Sequence, residues 1–102
     1  MKDYELRYLP LFYEDLEEKL LYIARNLRNP EAAGNLLDKI EAAVLERLSF
    51  AEAFEQYHSV RERIYPYYRI YVDNFVVYYV VIGTVMEVRR LLYKGQNAQK
   101  KI

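Results

Sequence analysis

The second half of the chain is dominated by Ile, Val, Tyr and Phe between residues 67 and 92. Two short turn sequences, Asp73-Asn74 and Gly83-Thr84, interrupt this run at a regular interval. Asp, Asn and Gly tolerate the positive φ angles that tight β-hairpins require. We therefore predict three strands, joined by hairpins into an antiparallel meander, near residues 67–72, 75–82 and 85–92.

A further strand is predicted at the N-terminus. Residues 4–9 alternate polar and apolar side chains and end at Pro10, which removes a backbone donor and closes a strand. This segment can join the meander as an edge strand or as a parallel neighbour.

Two amphipathic helices are predicted between the first strand and the meander. The first has an apolar stripe at helical spacing, formed by Leu16, Leu20, Ile23, Ala24 and Leu27. Asn29-Pro30-Glu31 then combines an N-cap acceptor, a proline for the first helical position and an acid in the first turn. The second helix begins there, and its stripe consists of Ala33, Leu36, Leu37, Ile40, Val44 and Leu48.

This element order predicts one α+β domain over residues 1–95. An antiparallel helical hairpin follows the N-terminal strand and packs on one curled sheet, which buries both apolar faces. Residues 49–60 are expected to be the end of the second helix and a loop. Residues 96–102 form a polar, basic tail that we expect to be frayed.

Composition limits the possible functions. The chain of 102 residues has no Cys and one His, so neither a disulfide framework, a metal centre nor a cofactor site is expected. Its charged N-terminus and the lack of a membrane-length apolar run indicate a soluble, cytoplasmic protein. His58 lies in the predicted loop with no acid or nucleophile placed beside it, so it is a weak candidate for a general base.

The formal net charge of zero conceals an asymmetry. Residues 1–57 hold seven Lys and Arg against twelve Asp and Glu, whereas residues 58–102 hold eight against three. The C-terminal half can therefore face an anion, or the acidic half can meet a basic partner. The alternative is that helices simply carry more solubilising Glu. The acidic cluster Glu14-Asp15-Glu17-Glu18 is interpreted as a solvated helix face or as the first turn of a helix, where the helix dipole favours acids.

The meander also carries the candidate functional residues. On its first strand Arg69 shares a face with Tyr67 and Tyr71, opposite an apolar set, and is expected to point away from the core. Guanidinium groups hold phosphates and tyrosine rings stack on unpaired bases, so a face of this kind suits RNA. The candidate residues are Arg63, Arg69, Arg89, Arg90, Tyr93 and Lys94. The structural alternative is that tyrosines form strands and arginines pair with Glu62 or Glu87. Either alternating set of the last strand can face outward.

Several segments of the chain resemble the RelE/ParE toxins, also known as plasmid stabilization proteins. Residues 22–33 and 36–41 are similar to their helical hairpin, residues 68–79 to their strand, turn and strand, and residues 88–93 to their last strand. The resemblance implies a bacterial toxin of a type II toxin–antitoxin system, held inactive by a cognate antitoxin. RelE-like members cleave messenger RNA on the ribosome, and ParE-like members poison DNA gyrase.

The resemblance gives the candidates specific roles. For an mRNA endoribonuclease, it assigns Arg69 and Arg90 to stabilising the phosphate, and Tyr93 to stacking on a base or acting as the acid. Arg63, Arg89 and Lys94 would contact nucleic acid. Relatives commonly continue with Gly-Arg-Arg after that Tyr, where this chain has Lys94-Gly95-Gln96. Ribosome-associated mRNA cleavage is the expected activity, because the C-terminal half is basic. The alternatives are gyrase inhibition, which requires only a docking surface, and a family member that has lost its toxicity.

Overall fold

The computed structural model describes residues 3–57 and 64–102. Over these residues the element order is β1 (Glu5–Tyr8), α1 (Pro10–Leu21), a π-helical turn (Tyr22–Asn26), α2 (Pro30–Leu48), β2 (Gln56–Tyr57), β3 (Tyr67–Val72), β4 (Phe75–Ile82), β5 (Val85–Tyr93) and α3 (Ala98–Lys101). The predicted α+β class and the order of the main elements are confirmed.

The five strands form one mixed sheet in the order β1-β5-β4-β3-β2. The strands β3, β4 and β5 are the predicted meander, and β1 joins it parallel to β5, with Tyr8 opposite Val88. Both hairpin turns contain a residue with the positive φ angle predicted for them, since Asp73 has φ 52 and Gly83 has φ 62. The central strand β4 is buried on both faces, which explains its uninterrupted apolar sequence.

The helical hairpin covers one face of the sheet. The core on that side contains Phe12 from α1, Ile40 and Val44 from α2, and the inward side chains of β3 to β5. On β3 these are Tyr68, Ile70 and Val72, which is the face that alternation predicted. Asn29 caps α2 as expected, because its side chain accepts a hydrogen bond from the Ala32 amide at 3.1 Å.

The first helix differs from its prediction in two ways. It ends earlier, since the π-helical turn changes the helical phase and leaves Leu27 exposed rather than in the apolar stripe. The acidic cluster is also not wholly solvated, because its member Asp15 is buried, as is the neighbouring Lys19. Their partners lie on β5, far away in sequence, so helical periodicity alone could not reveal this burial.

The expectations for the loop and the tail need correction. Part of the predicted loop forms β2, which pairs with the first two residues of β3. The tail, residues 96–102, is not frayed: Asn97 caps α3 by accepting from the Gln99 amide. Ala98 is buried and Ile102 half-buried in a second apolar cluster, on the sheet face opposite α1 and α2. Among the described residues, no helix has the length and apolar character needed to cross a bilayer.

Replacing the α2 cap provides a test of this architecture. Asn29→Ala leaves the Ala32 amide without its acceptor, and we expect a loss of about 1 kcal/mol in the free energy of unfolding. The matched control is Asn35→Ala, at an exposed position within the same helix, where alanine has the higher helix propensity. Urea denaturation followed by circular dichroism measures both, and equal stability of the two variants would contradict the capping role.

Candidate nucleic-acid interface and its neighbours

We call the face of the sheet that is turned away from α1 and α2 the outer face. It carries most of the predicted site residues. Its apolar centre is formed by Tyr67, Val76, Tyr78, Val80 and Leu92, with Ala98 of the tail packed on it. Arg69, Arg89, Arg90 and Lys94 surround this centre. The sheet therefore brings four of the six candidates to one side.

A β-bulge in β5 decides which side chains face outward. Tyr78 is opposite Arg90 while its neighbour Tyr79 is opposite Val88, so Arg89 is the extra residue. Because of this extra residue, Arg89 and Arg90 both lie on the outer face although they are consecutive. Strict alternation of side chains along β5 would place Arg89 and Arg90 on opposite faces. That alternation does not hold beyond Val88. No residue in the local sequence marks the bulge.

The bulge also moves Tyr93 away from the other candidates. Leu91 and Tyr93 now face the helices, where the Tyr93 ring packs against Phe75 at a centroid distance of 5.1 Å. The Lys19 ammonium lies 4.8 Å from the centroid of the same ring. Burial raises the pKa of Tyr93 and lowers that of Lys19. The Tyr93 hydroxyl therefore keeps its proton more strongly than a free tyrosine does.

Arg90 is bound in a bidentate ion pair with Asp15 of α1. The two nitrogen–oxygen distances are 2.7 and 3.0 Å, and a third donor of Arg90 reaches the Lys101 carbonyl at 2.7 Å. Asp15 also accepts the backbone N–H of Leu91 at 3.0 Å. The hydrogen bonds that Arg90 donates to Asp15 raise the pKa of Arg90, and both side chains are largely buried. This guanidinium is therefore engaged within the protein.

Arg89 is paired in a similar way on the outer face. It donates to Glu87 at 2.7 Å, and Arg7 of β1 donates to the other oxygen of the same carboxylate at 2.9 Å. Arg89 also reaches the Tyr67 hydroxyl at 3.3 Å. Burial raises the pKa of Glu87, but the hydrogen bonds from Arg89 and Arg7 outweigh it, and the pKa lies below its usual value. The alternative that an arginine pairs with Glu87 is confirmed.

Arg69 and Lys94 have a different environment. The Arg69 guanidinium lies 4.8 Å from the Tyr57 ring centroid and 5.6 Å from that of Tyr71, and the Lys94 ammonium lies 5.8 Å from the Tyr71 ring. Within residues 3–57 and 64–102, neither cation contacts a carboxylate. We call Tyr57, Arg69, Tyr71 and Lys94 the cation–tyrosine cluster. It offers positive charge and aromatic rings together, as the sequence suggested.

Other candidates contribute less to this arrangement. Arg63 and His58 fall outside the described residues. Across the part of the chain that the structure describes, no group of three acidic or imidazole side chains is placed to hold a metal ion. The tail limits access to the outer face, because Gln99 donates to the Tyr57 hydroxyl at 2.5 Å and Ala98 lies on the apolar centre.

Comparison with known proteins identifies the family. Residues 6–98 match the family model described as "ParE toxin of type II toxin-antitoxin system, parDE". The chain belongs to the ParE toxin family. Within the RelE/ParE superfamily, that match places it on the ParE side and extends from β1 into α3.

A solved structure has the same fold as this ParE-family chain. It is described as "Chromosomal ParDE TA system from P. aeruginosa" and matches with a TM-score of 0.70 and 16% sequence identity. The match covers 89% of this chain and 96% of the other. No curated protein matches the sequence.

The buried ion pair predicts a large effect of a single substitution. Asp15→Ala removes the acceptor of both Arg90 and the Leu91 amide, and we expect a loss of about 3 to 5 kcal/mol in unfolding free energy. Glu17→Ala, at an exposed position on the same helix, is the control and is expected to change stability by less than about 0.5 kcal/mol. Urea denaturation compares them. If Asp15→Ala cannot be purified, Asp15→Asn, which keeps an acceptor for Leu91, is expected to show a smaller loss.

The lowered pKa of Glu87 predicts that the unfolding free energy depends on pH. Its pKa is lower in the folded protein, so its ion pairs contribute stability above the unfolded pKa and that contribution is lost as the pH falls through the folded value. Between about pH 5 and pH 3, the unfolding free energy of the unmodified chain should decrease more steeply than that of Glu87→Gln. Parallel slopes for the two proteins in pH-dependent denaturation would exclude this role of Glu87.

Proposed function

We propose that this chain is the toxin of a type II toxin–antitoxin system, that it acts in the cytoplasm by docking on DNA gyrase, and that a cognate antitoxin neutralises it. The observation that carries the proposal is the pairing of the outer-face arginines. Arg89 and Arg90 each donate to a carboxylate within the chain, so they are arranged as parts of the scaffold and not as free phosphate ligands.

RNA cleavage makes demands that this arrangement meets poorly. Attack of a 2′-hydroxyl on the adjacent phosphate needs a base, an acid and positive charge beside the phosphate. The carboxylates next to the outer-face arginines, Asp15 and Glu87, have their oxygens occupied by arginine donors. Tyr93, the proposed acid, faces the helices and has a raised pKa. The parts of a nuclease site are therefore separated.

Docking on a protein target places no such demands. The chain has a formal net charge of zero, which is compatible with a protein partner. The helical hairpin also presents an apolar groove of about 230 Å³ beside β1, lined by residues that include Tyr8, Phe12, Leu37 and Leu45. The resemblance to ParE-like toxins supplies gyrase as the target, and the geometry supports binding without catalysis.

The second candidate is ribosome-associated mRNA cleavage, and the cation–tyrosine cluster favours it. Arg69 and Lys94 lie over tyrosine rings and, within the described residues, have no carboxylate partner. In this alternative Arg69 holds the phosphate, and Arg63, Arg89 and Lys94 contact the RNA. Arg89, Arg90 and Tyr93 would have to leave their present contacts to take part. Arg89 is bound to Glu87, Arg90 is bound to Asp15, and Tyr93 faces α1.

Pulse induction in a bacterial host separates the two candidates. Labelled thymidine and labelled amino-acid incorporation are followed over the first minutes after induction. We expect thymidine incorporation to stop first, and the purified chain to inhibit plasmid supercoiling by gyrase in vitro. Co-expression of the antitoxin should restore thymidine incorporation, and adding purified antitoxin should restore supercoiling in vitro.

Two results would favour mRNA cleavage over gyrase inhibition. One is an earlier arrest of amino-acid incorporation, with fragments of ribosome-bound mRNA. The other is a Tyr93→Phe variant that folds normally and loses toxicity, since this change removes only the hydroxyl. Under the gyrase proposal Tyr93→Phe is expected to remain toxic. A chain with no effect on either process would be a family member that has lost its toxicity.

A further inference from the structure

The groove beside β1 and the two long helices, which we call the hairpin groove, has the features of a binding site for a small molecule. It has a volume of about 230 Å³, and its walls include Tyr8 of β1, Tyr13 of α1 and Leu45 of α2. Pockets for drug-sized ligands occupy roughly 300 to 1,000 Å³, so this groove suits a smaller ligand. Tyr13 and Leu45 are 54% and 58% exposed, which leaves the groove open to solvent.

Three aromatic rings line one part of the groove. The ring centroid of Tyr8 lies 5.1 Å from that of Phe12 and 5.6 Å from that of Tyr13, and the last two are 6.1 Å apart. The chain brings these rings together locally, because Tyr8 ends β1 and α1 begins at Pro10. The face of an aromatic ring carries negative charge density and attracts cations. A wall of this kind therefore favours a cation that can also make apolar contacts.

One carboxylate, that of Glu41, belongs to the same groove. It is one helical turn from Leu37 and Leu45, which line the groove as well, so all three lie on one face of α2. Burial raises the pKa of Tyr8, and the nearby Tyr13 and Glu41 raise it further, so the Tyr8 hydroxyl stays neutral. Among the described residues Glu41 has no ion-pair partner, and its charge is therefore available to a ligand.

The helical hairpin surrounds the groove with further negative charge. Helix α1 contains four acidic residues and one Lys, and α2 contains four acidic residues and two basic ones. The basic side chains are all engaged elsewhere: Lys19 is buried, Lys39 is paired with Asp73, and Arg47 donates to the sheet. The charge that the hairpin presents to a ligand is therefore negative, which attracts cations to the groove.

These features together define the chemistry of the ligand. A bare metal ion needs several oxygen ligands, and the described parts of the chain contain no group of three acidic or imidazole side chains placed to hold one. A neutral apolar molecule would fill the groove but leave the charge of Glu41 unpaired. An ammonium that carries alkyl groups meets both demands, because its alkyl groups contact the rings while its charge lies near the carboxylate.

We propose that the hairpin groove binds a small organic cation with an alkylated ammonium head group. The head group lies against the rings of Tyr8 and Tyr13, Glu41 supplies the opposite charge, and Leu37 and Leu45 contact the apolar part of the ligand. This site does not depend on the gyrase activity proposed above. A bound cation would, however, occupy the same groove that is available there for docking on a protein, so the two would compete.

An NMR titration of the purified full-length chain tests the site. Choline is the probe, and its uncharged analogue dimethylbutanol, in which a carbon atom replaces the nitrogen, is the matched ligand. We expect choline to shift the amide signals of Tyr8, Tyr13 and Glu41 in a saturable way, and the analogue to bind at least about fivefold more weakly. Sodium chloride at the same ionic strength controls for the added salt.

Substitutions assign the binding to this groove. Glu41→Gln removes the charge at an exposed position and should weaken choline binding at least about fivefold, with no effect on the uncharged analogue. Tyr13→Leu keeps an apolar side chain but removes a ring, and should weaken choline binding to a similar extent. Glu46→Gln, the same change of charge on α2 outside the groove, is the matched control and should leave the affinity unchanged. The NMR spectrum of each variant without ligand verifies its fold.

Three results would each overturn the inference. The first is a titration without saturable shifts around the groove. The second is equal affinity for choline and dimethylbutanol, which would make the groove an apolar cavity with no preference for cations. The third is unchanged choline affinity in folded Glu41→Gln and Tyr13→Leu. Since the titration contains neither gyrase nor an antitoxin, these results are independent of the proposed function.

Discussion

The carboxylate of Asp15 is the single group on which most of this arrangement depends. It lies on α1, yet it accepts hydrogen bonds from the Leu91 amide and from two nitrogens of Arg90. Since Arg90 also reaches the Lys101 carbonyl, one acid connects the first helix, the last strand and the tail. A charge buried at this depth is tolerated because all its partners are present, and removing it would leave several polar groups unpaired.

This use of charge explains how an Arg-rich last strand serves the fold. Arg89 and Arg90 stabilise the junctions between β5 and its neighbours, through Glu87 and Asp15. The tail then covers the apolar centre of the outer face. The cations left for external contacts, Arg69 and Lys94, lie at the β3 side of the sheet. These two cations lie with the rings of Tyr57 and Tyr71, apart from the paired arginines of β5.

The two edges of the sheet also differ in how far contacts within the chain cover them. The edge of β5 is closed by β1 and Asp15, whereas the edge of β3 is covered by β2 only at Tyr67 and Tyr68. Exposed strand edges invite pairing with other chains, and proteins normally protect them. Here Arg47 occupies the Arg69 carbonyl, which limits the accessible backbone. This partial protection limits uncontrolled association through the edge.

The sequence by itself determined the class of the fold, the position of the two long helices and the limits of the three long strands. These features depend on local rules: the Asn29-Pro30 cap, the period of the apolar side chains and the turn residues Asp73 and Gly83. It also placed Arg69 on the outer face, since simple alternation holds along β3. Only the tertiary structure decided the rest. The bulge at Arg89, the burial of Asp15 and the packing of the tail all depend on contacts between residues far apart in the chain, and such contacts leave no periodic trace in the local sequence.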